Sequence, residues 1–298
     1  MGNFEVKSIL CAVDQSDHSA FALMWAARLA QAFGAKIYVF HSACLRPPLE
    51  FTHDQIDAVL AQLEEATQAA AEIIGSWAAQ YLPEDVEWET RVTRRDAVEG
   101  ILEQADELGV DLIVMGTHGR GGIARWLLGS VAAAVVNDST RPCLICHHTN
   151  QPLGKNKIPQ PETILCPVNY TPVAEQCLDA SSTLAQALDA QVTLLHCLEP
   201  GGTEDDEEQE YQRLCSWVPD AARATCALQE ELCKGNAAEQ IVQYARQQGA
   251  DLIVIGGQRR LLADVPVFGT TTERVLRLAP CPVLVLPRQP EESEGDSQ

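Results

Sequence analysis

Asp111-Leu-Ile-Val-Met-Gly-Thr-His-Gly-Arg-Gly-Gly122, followed after a short gap by Gly129-Ser130, is the stretch that decides the fold. Asp111 to Met115 reads as a buried strand, a short continuous apolar run bounded by a turn. It runs straight into a glycine-rich loop in which Gly116 and Gly119 are spaced G-x2-G. Nine residues after Gly119 come Gly129-Ser130, and the Ala/Val-rich segment Val131 to Val136 that follows reads as a helix. A strand, a loop that bares backbone N–H groups and a helix N-terminus together make an anion site, because glycine permits close backbone approach and the helix dipole favours negative charge. A lone G-x2-G would be no more than a turn that needs glycine for its dihedral angles. The full spacing is far more specific.

The chain carries this unit twice. Ser8-Ile-Leu-Cys-Ala-Val-Asp14 recurs as Thr163-Ile-Leu-Cys-Pro-Val-Asn169, and Lys36-Ile-Tyr-Val-Phe-His41 as Gln191-Val-Thr-Leu-Leu-His196. Asp111-Leu-Ile-Val-Met-Gly116 recurs as Asp251-Leu-Ile-Val-Ile-Gly256, and Gly129-Ser130 as Gly269-Thr270, with the second copy shorter in its middle. Each copy alternates strand and helix. In the first, strands are expected at Ser8–Val13, Lys36–His41, Val86–Val92, Asp111–Met115 and Pro142–Cys146. Helices are expected at Ser16–Phe33, stopped by Gly34, at Asp54–Gln80, and at Ala97–Leu108, ended by Gly109. That alternation implies a doubly wound parallel sheet with helices on both faces. If the last strands, Pro142 to Cys146 and Pro282 to Leu286, lie at sheet edges, they would be open apolar edges, and each half would be expected to cover the other. In the second copy Thr171-Pro172 reads as an N-cap followed by a proline at the first helical position. The acidic run Glu204 to Glu210 reads as a solvated face or loop.

The spacing from Gly116 to Ser130 resembles the nucleotide-binding signature of the universal stress protein family, G-x2-G-x9-G-[S/T]. The likeness extends over nearly the whole chain, twice. It implies two tandem five-stranded, Rossmann-like α/β domains packed as an intrachain pseudo-dimer: residues 1–148 with the intact motif, a linker at 149–162, a degenerate domain at 163–288 and an acidic tail at 289–298. By the same resemblance, Val13, Asp14 and Ser42 would lie at the adenine and ribose end of a bound ATP. Met115, Gly116 and His118 would line the ribose and first phosphate. Gly119, Gly129, Ser130 and Val131 would cradle the phosphates. Asp14 can equally serve the start of the helix near Ser16, and His118 can be a plain exposed loop residue. His41 and His196, at the same place in both copies, read as packed, hydrogen-bonded side chains. Arg120 and Arg125 either offset phosphate charge or solvate the loop.

The second copy departs at two places. Asn169 stands where Asp14 stands, and Arg259 stands where Gly119 stands. An arginine side chain there obstructs close backbone approach. One competent site is therefore expected, in the first half, with the second half as scaffold or regulator, or as host to a different anion at Arg259 and Arg260. The function implied is an ATP-binding stress-response or signalling module. A slow ATP hydrolase or phosphotransferase with Mg²⁺ bridging the phosphates is the enzymatic alternative. A nucleotide-free structural stress protein is the third. No Walker A lysine, H-E-x-x-H or G-x-S-x-G occurs, and no base for activating water stands out.

Composition narrows the partners. The chain has 298 residues, 46% hydrophobic, with a formal net charge of −21, so two ordinary cores fit while nucleic acid and anionic membrane do not. The expected partners are an adenine nucleotide and a protein, with a homodimer as a further option. No signal peptide or apolar run of membrane-spanning length is visible, which reads as cytoplasmic. Eleven cysteines, an odd count, read as reduced thiols. Cys143-Leu-Ile-Cys-His147 matches a c-type haem attachment pattern, yet an offset of three on a strand places the two sulfurs on opposite faces.

Overall fold

A computed structural model describes residues 4–44, 53–117, 128–147, 152–198, 201, 204–257, 259–262 and 265–287. His118, Gly119, Arg120 and Arg125 lie outside the described residues, as does the acidic tail.

The first half runs β1 (Ser8–Ala12), α1 (Asp17–Phe33), β2 (Lys36–Ser42), α2 (His53–Ala78), β3 (Trp88–Thr93), α3 (Ala97–Glu107), β4 (Leu112–Gly116), α4 (Ser130–Asp138) and β5 (Cys143–Cys146). After a short 3₁₀ turn at Lys155–Lys157, the second half runs β6 (Thr163–Val168), α5 (Pro172–Leu188), β7 (Gln191–Leu198), α6 (Glu204–Trp217), α7 (Asp220–Thr225), β8 (Leu228–Lys234), α8 (Ala237–Gln248), β9 (Leu252–Gly257), β10 (Arg259–Leu262), β11 (Val265–Phe268), α9 (Thr270–Leu278) and β12 (Val283–Pro287). Ser16 caps α1, its Oγ accepting from Ser19 N at 3.2 Å, and Gly34 (φ 69°) stops it. Thr171 stands at the N-cap of α5 without a side-chain cap bond, giving its hydroxyl hydrogen to Asn169 Oδ1 at 2.7 Å instead. The acidic run opens α6 rather than a loop. There Glu207 pairs with Lys234, and Glu210 with Arg213 at 3.2 Å, so the like charges are relieved by cations on the same helix and on β8.

All strands except β10 and β11 form one sheet of ten, in the order β3-β2-β1-β4-β5-β12-β9-β6-β7-β8. Within each half the pairing is parallel. The halves meet at an antiparallel junction in which Val283 faces Ile145, Leu284 faces Leu144 and Val285 faces Cys143. The two apolar edges are thus consumed by each other. Leu144, Cys146, Leu284 and Leu286 join the core under α1 and α5, whereas Cys143, Ile145, Val283 and Val285 join the core on the opposite face. Each core draws side chains from both halves. Cys143 and Cys146 therefore do lie on opposite faces, fully buried, with burial raising the Cys143 thiol to about 12 and the Cys146 thiol well above its usual range. His147 is engaged elsewhere, its Nε2–H donating to Leu276 O at 2.7 Å. Nothing in this arrangement suits haem.

One carboxylate in each half ties the central strands at their lower end. Asp111 Oδ2 accepts from Lys7 N at 2.8 Å, Ser8 N at 2.9 Å and Ser8 Oγ at 3.1 Å. Asp251 Oδ2 accepts the equivalent three bonds from Glu162 N, Thr163 N and Thr163 Oγ1 at 2.9, 3.0 and 3.0 Å. Hydrogen bonds to an ionised acceptor are the stronger kind. Asp111→Ala is expected to lower stability in urea unfolding by about 2 kcal/mol, with Asp111→Asn recovering part through its remaining acceptor oxygen. A loss under about 0.5 kcal/mol, the range of an ordinary surface change, would mean the clamp contributes nothing.

Candidate functional site

In the first half the chain leaves β1 toward β2 and β3 on one side, then returns to β4 and β5 on the other. The switch in strand order falls between β1 and β4, which pair in register from Ile9↔Leu112 to Ala12↔Met115. Crevices for ligands open at such a point, beyond the C-terminal ends of the strands. Val13, Asp14, Met115 and Gly116 all sit there, and β2 brings Ser42 to the same end of the sheet.

The turn after β1 is held in a specific conformation. Gln15 has φ 66°, an uncommon conformation for a residue with a side chain. It folds the chain back so that Asp14 Oδ1 accepts from both Ser16 N at 3.1 Å and Ser16 Oγ at 2.6 Å. Asp14 is thus not the cap of α1 but braces the residue that is. Tyr170 repeats the conformation at the equivalent place in the second half, with φ 58°. Val13 is buried, and its carbonyl accepts from His41 Nδ1–H at 2.7 Å. His196 makes the same bond to Val168 O at 2.8 Å. Both histidines are structural posts that fix the β1–β2 and β6–β7 strand ends. The Ser42 hydroxyl donates to Arg95 O at 2.7 Å, which leaves its oxygen able to accept.

Met115 is buried, and Gly116 ends β4 against α1. A Cβ on Gly116 would meet His18 Cβ at 2.8 Å and His18 C at 2.9 Å. Gly256 has the same relation to Val173, at 2.8 Å. This glycine is therefore needed for the helix to reach the strand, whatever else binds nearby. Beyond it, Thr117 N donates to Cys146 O at 3.1 Å, and Gly129 N donates to Thr117 O at 2.8 Å. Gly129 spends its N–H in closing the base of the loop. The first ladder bond of α4 is Ala133 N to Gly129 O, at 2.9 Å, and among the described residues no side-chain cap bond is made. The N–H groups of Ser130, Val131 and Ala132 accordingly have no acceptor within the helix. Ser130 is exposed and Val131 half-buried, with Ala132 in the core.

The second half forms a hairpin after β9. Between β9 and α9, β10 and β11 pair antiparallel from Arg259↔Phe268 to Leu262↔Val265, and the hairpin's second strand approaches α4 of the first half. Ladder pairing commits N–H groups of this segment to each other. What remains at the strand ends is a crevice of about 170 Å³, reached by Val168, Asn169, Cys197, Ile255 and Thr270. That is below the usual size of a cofactor pocket. Sequence reading missed this hairpin, although two short apolar runs flanking Ala263-Asp264 were its signal.

The model of the universal stress protein family matches residues 5–147 and again residues 161–287. The chain belongs to the universal stress protein family. A universal stress protein of Mycolicibacterium smegmatis is 24% identical over 295 residues, covering 93% of this chain and 96% of that one. One from Thermus aquaticus is 33% identical over 148 residues, 47% of this chain and 97% of its own length. The crystal structure of a universal stress protein from Archaeoglobus fulgidus superposes with a TM-score of 0.65 at 20% identity, covering 97% of this chain and 99% of that one. Two relations thus occur, a full-length likeness to a chain of similar size and a half-length likeness to single-unit relatives. Both fit a tandem universal stress protein, and family membership carries a role in the stress response. No helix among the described residues is long and apolar enough to cross a membrane.

Proposed function

We propose that the first half binds ATP across the ends of β1 and β4, and that the chain works as a nucleotide-dependent stress-response or signalling module. The observation that carries this reading is the first turn of α4 at the strand-order switch, whose leading N–H groups have no acceptor within the helix. Its N–H groups at Ser130 and Val131 lie where the G-x2-G-x9-G-S spacing puts the phosphates. Orphan donors at a helix N-terminus are good partners for a phosphate. Asp14, Val13 and Ser42 gather at the same end of the sheet and suit the nucleoside: a carboxylate for ribose hydroxyls, a backbone for the base edge. Among the described residues no group of three His, Cys, Asp or Glu side chains suits a metal. Mg²⁺ accompanying the nucleotide would then be carried by phosphate oxygens and water.

The site must hold its anion inside a chain of net charge −21, so local donors have to outweigh the global field. One ATP per chain is expected, since the second half pairs its loop into a hairpin and lacks the carboxylate at Asn169. Isothermal titration of nucleotide-free protein should give a stoichiometry near one, and denaturing the purified protein should release adenine nucleotide detectable by mass spectrometry. Two equivalent sites by titration would sink the assignment of the second half, and no heat at all would sink the reading as a whole.

A further inference from the structure

The second half holds a pair of thiols at the position where the first half holds a pair of hydroxyls. Cys197 on β7 and Cys233 on β8 are direct register partners, and their sulfurs lie 2.9 Å apart. In the first half the corresponding register pair is Ser42 and Thr93, on β2 and β3. We propose that Cys197 and Cys233 form a reversible redox couple that closes to a cross-strand disulfide when a hydroperoxide reaches the crevice of the second half.

The geometry favours bond formation. Neighbouring strands run about 4.8 Å apart, within the Cα separations that disulfides span, and the sulfurs need to approach by roughly 1 Å to reach a bond length of about 2.05 Å. Both side chains are half-buried, and Cys197 lies on the crevice wall. The other close-set thiols are unsuited. Cys11, Cys146, Cys166 and Cys177 are fully buried, and burial pushes their thiols up, Cys166 to about 12. A thiol kept protonated in the core is inert. Cys197 and Cys233 are different: both are only half-buried, and the Cys233 S–H lies against the Cys197 sulfur, so loss of one proton leaves a thiolate hydrogen-bonded to the remaining thiol. The pair therefore supplies both roles, one sulfur as attacking thiolate and the other as resolving thiol.

The thiolate of the pair attacks one peroxide oxygen, the O–O bond breaks, and a sulfenic acid forms. The departing alkoxide or hydroxide takes up the proton that thiol gave up. The second thiol then attacks the sulfenic sulfur, the S–S bond forms, and the sulfenic oxygen leaves as water with the second thiol's proton. Two electrons pass from two thiols to the peroxide.

The test uses the full chain without nucleotide, so its outcome is separate from that of the ATP reading. Reduced protein is exposed to hydrogen peroxide, its remaining thiols are alkylated, and a non-reduced digest is analysed by mass spectrometry. The expected result is a loss of two thiols per chain, a linkage between the peptides carrying Cys197 and Cys233, and full recovery on treatment with dithiothreitol. Cys197→Ser and Cys233→Thr, which copy residues the first half already folds with, should each abolish the linkage. Cys226→Ser, in the same peptide as Cys233, should leave it intact. Retention of every thiol, a linkage that survives in either of the first two variants, or irreversible sulfinic acid without linkage would overturn the proposal.

Discussion

Leu144→Ala is expected to destabilise the whole chain by about 3 kcal/mol, and to do so in a single unfolding transition rather than in the first half alone. Leu144 and Leu284 are register partners at the junction of the two halves, 1% and 2% exposed. Truncating a leucine in such a place removes its transfer free energy and leaves a cavity that a ten-stranded sheet closes poorly. The loss is a large part of the roughly 5–15 kcal/mol that holds a typical fold. The reason for one transition lies in the cores. Each face of the sheet carries one continuous cluster drawn from both halves, α1 approaches α5 across the junction, and Arg28 Nη2 donates to Leu188 O at 3.5 Å. Separating the halves would expose two apolar strand edges at once. Four of the five tryptophans, Trp25, Trp77, Trp88 and Trp126, belong to the first half, while circular dichroism reports on both. Coincident urea midpoints by fluorescence and circular dichroism, both moved by Leu144→Ala, are the expected outcome. Leu144→Ala and Leu284→Ala combined should fall short of additivity, because the two side chains share one site. Midpoints that separate, with only the fluorescence transition shifted, would show two independent domains that merely touch.

The elements whose burial repeats along the chain were legible in the sequence. The apolar runs Ile9-Leu-Cys, Ile113-Val-Met and Leu284-Val-Leu are short and bounded by turn signals, which suits strands covered on both faces, and their order with the intervening helices leaves few topologies. The mutual covering of the two halves was also expected, the edge position of the last strands coming from the family resemblance and the need to cover two apolar edges from physics, while their antiparallel pairing into one sheet appears only in the structure. What stayed hidden depends on backbone detail or register. The left-handed Gln15 and Tyr170 carry no glycine to announce them. Gly129 reads as a phosphate donor until its N–H is seen bonded to Thr117 O. The clamps at Asp111 and Asp251 were visible as a repeat but gave no role until each carboxylate was found on the start of the neighbouring strand. Cys197 and Cys233 are far apart in sequence, and only the β7–β8 register brings them together. The phosphate end of the proposed site is argued from Ser130, Val131 and the motif, in which Gly119 is the second glycine.

That makes Gly119→Arg the most informative change in the first half. It writes into the intact motif the residue that the second half carries at Arg259, where the backbone runs as the first strand of a hairpin. Phosphates held by backbone N–H groups need those groups within hydrogen-bond reach, and a side chain in place of glycine's hydrogen obstructs that approach. Each such charge-assisted bond is worth roughly 1.5–3 kcal/mol. Losing about 3 kcal/mol in all weakens binding about a hundredfold. Folding should be unaffected, because the second half already folds with arginine there and the bonds that fix the loop's base, Thr117 N to Cys146 O and Gly129 N to Thr117 O, involve other residues. Asp14→Asn is the milder companion. It keeps an oxygen to accept from Ser16, as Asn169 keeps one for Thr171, while removing the charge offered to a ribose. Titration should therefore show ATP weakened strongly by Gly119→Arg and modestly by Asp14→Asn, whereas adenosine, which has no phosphate, should respond mainly to Asp14→Asn. ATP affinity within about threefold of wild type for Gly119→Arg, under 1 kcal/mol, would mean that the loop is only a turn. Equal losses for ATP and adenosine would mean that the substitution damages the nucleoside end, and the division of the site into a phosphate end at α4 and a ribose end at Asp14 would fall.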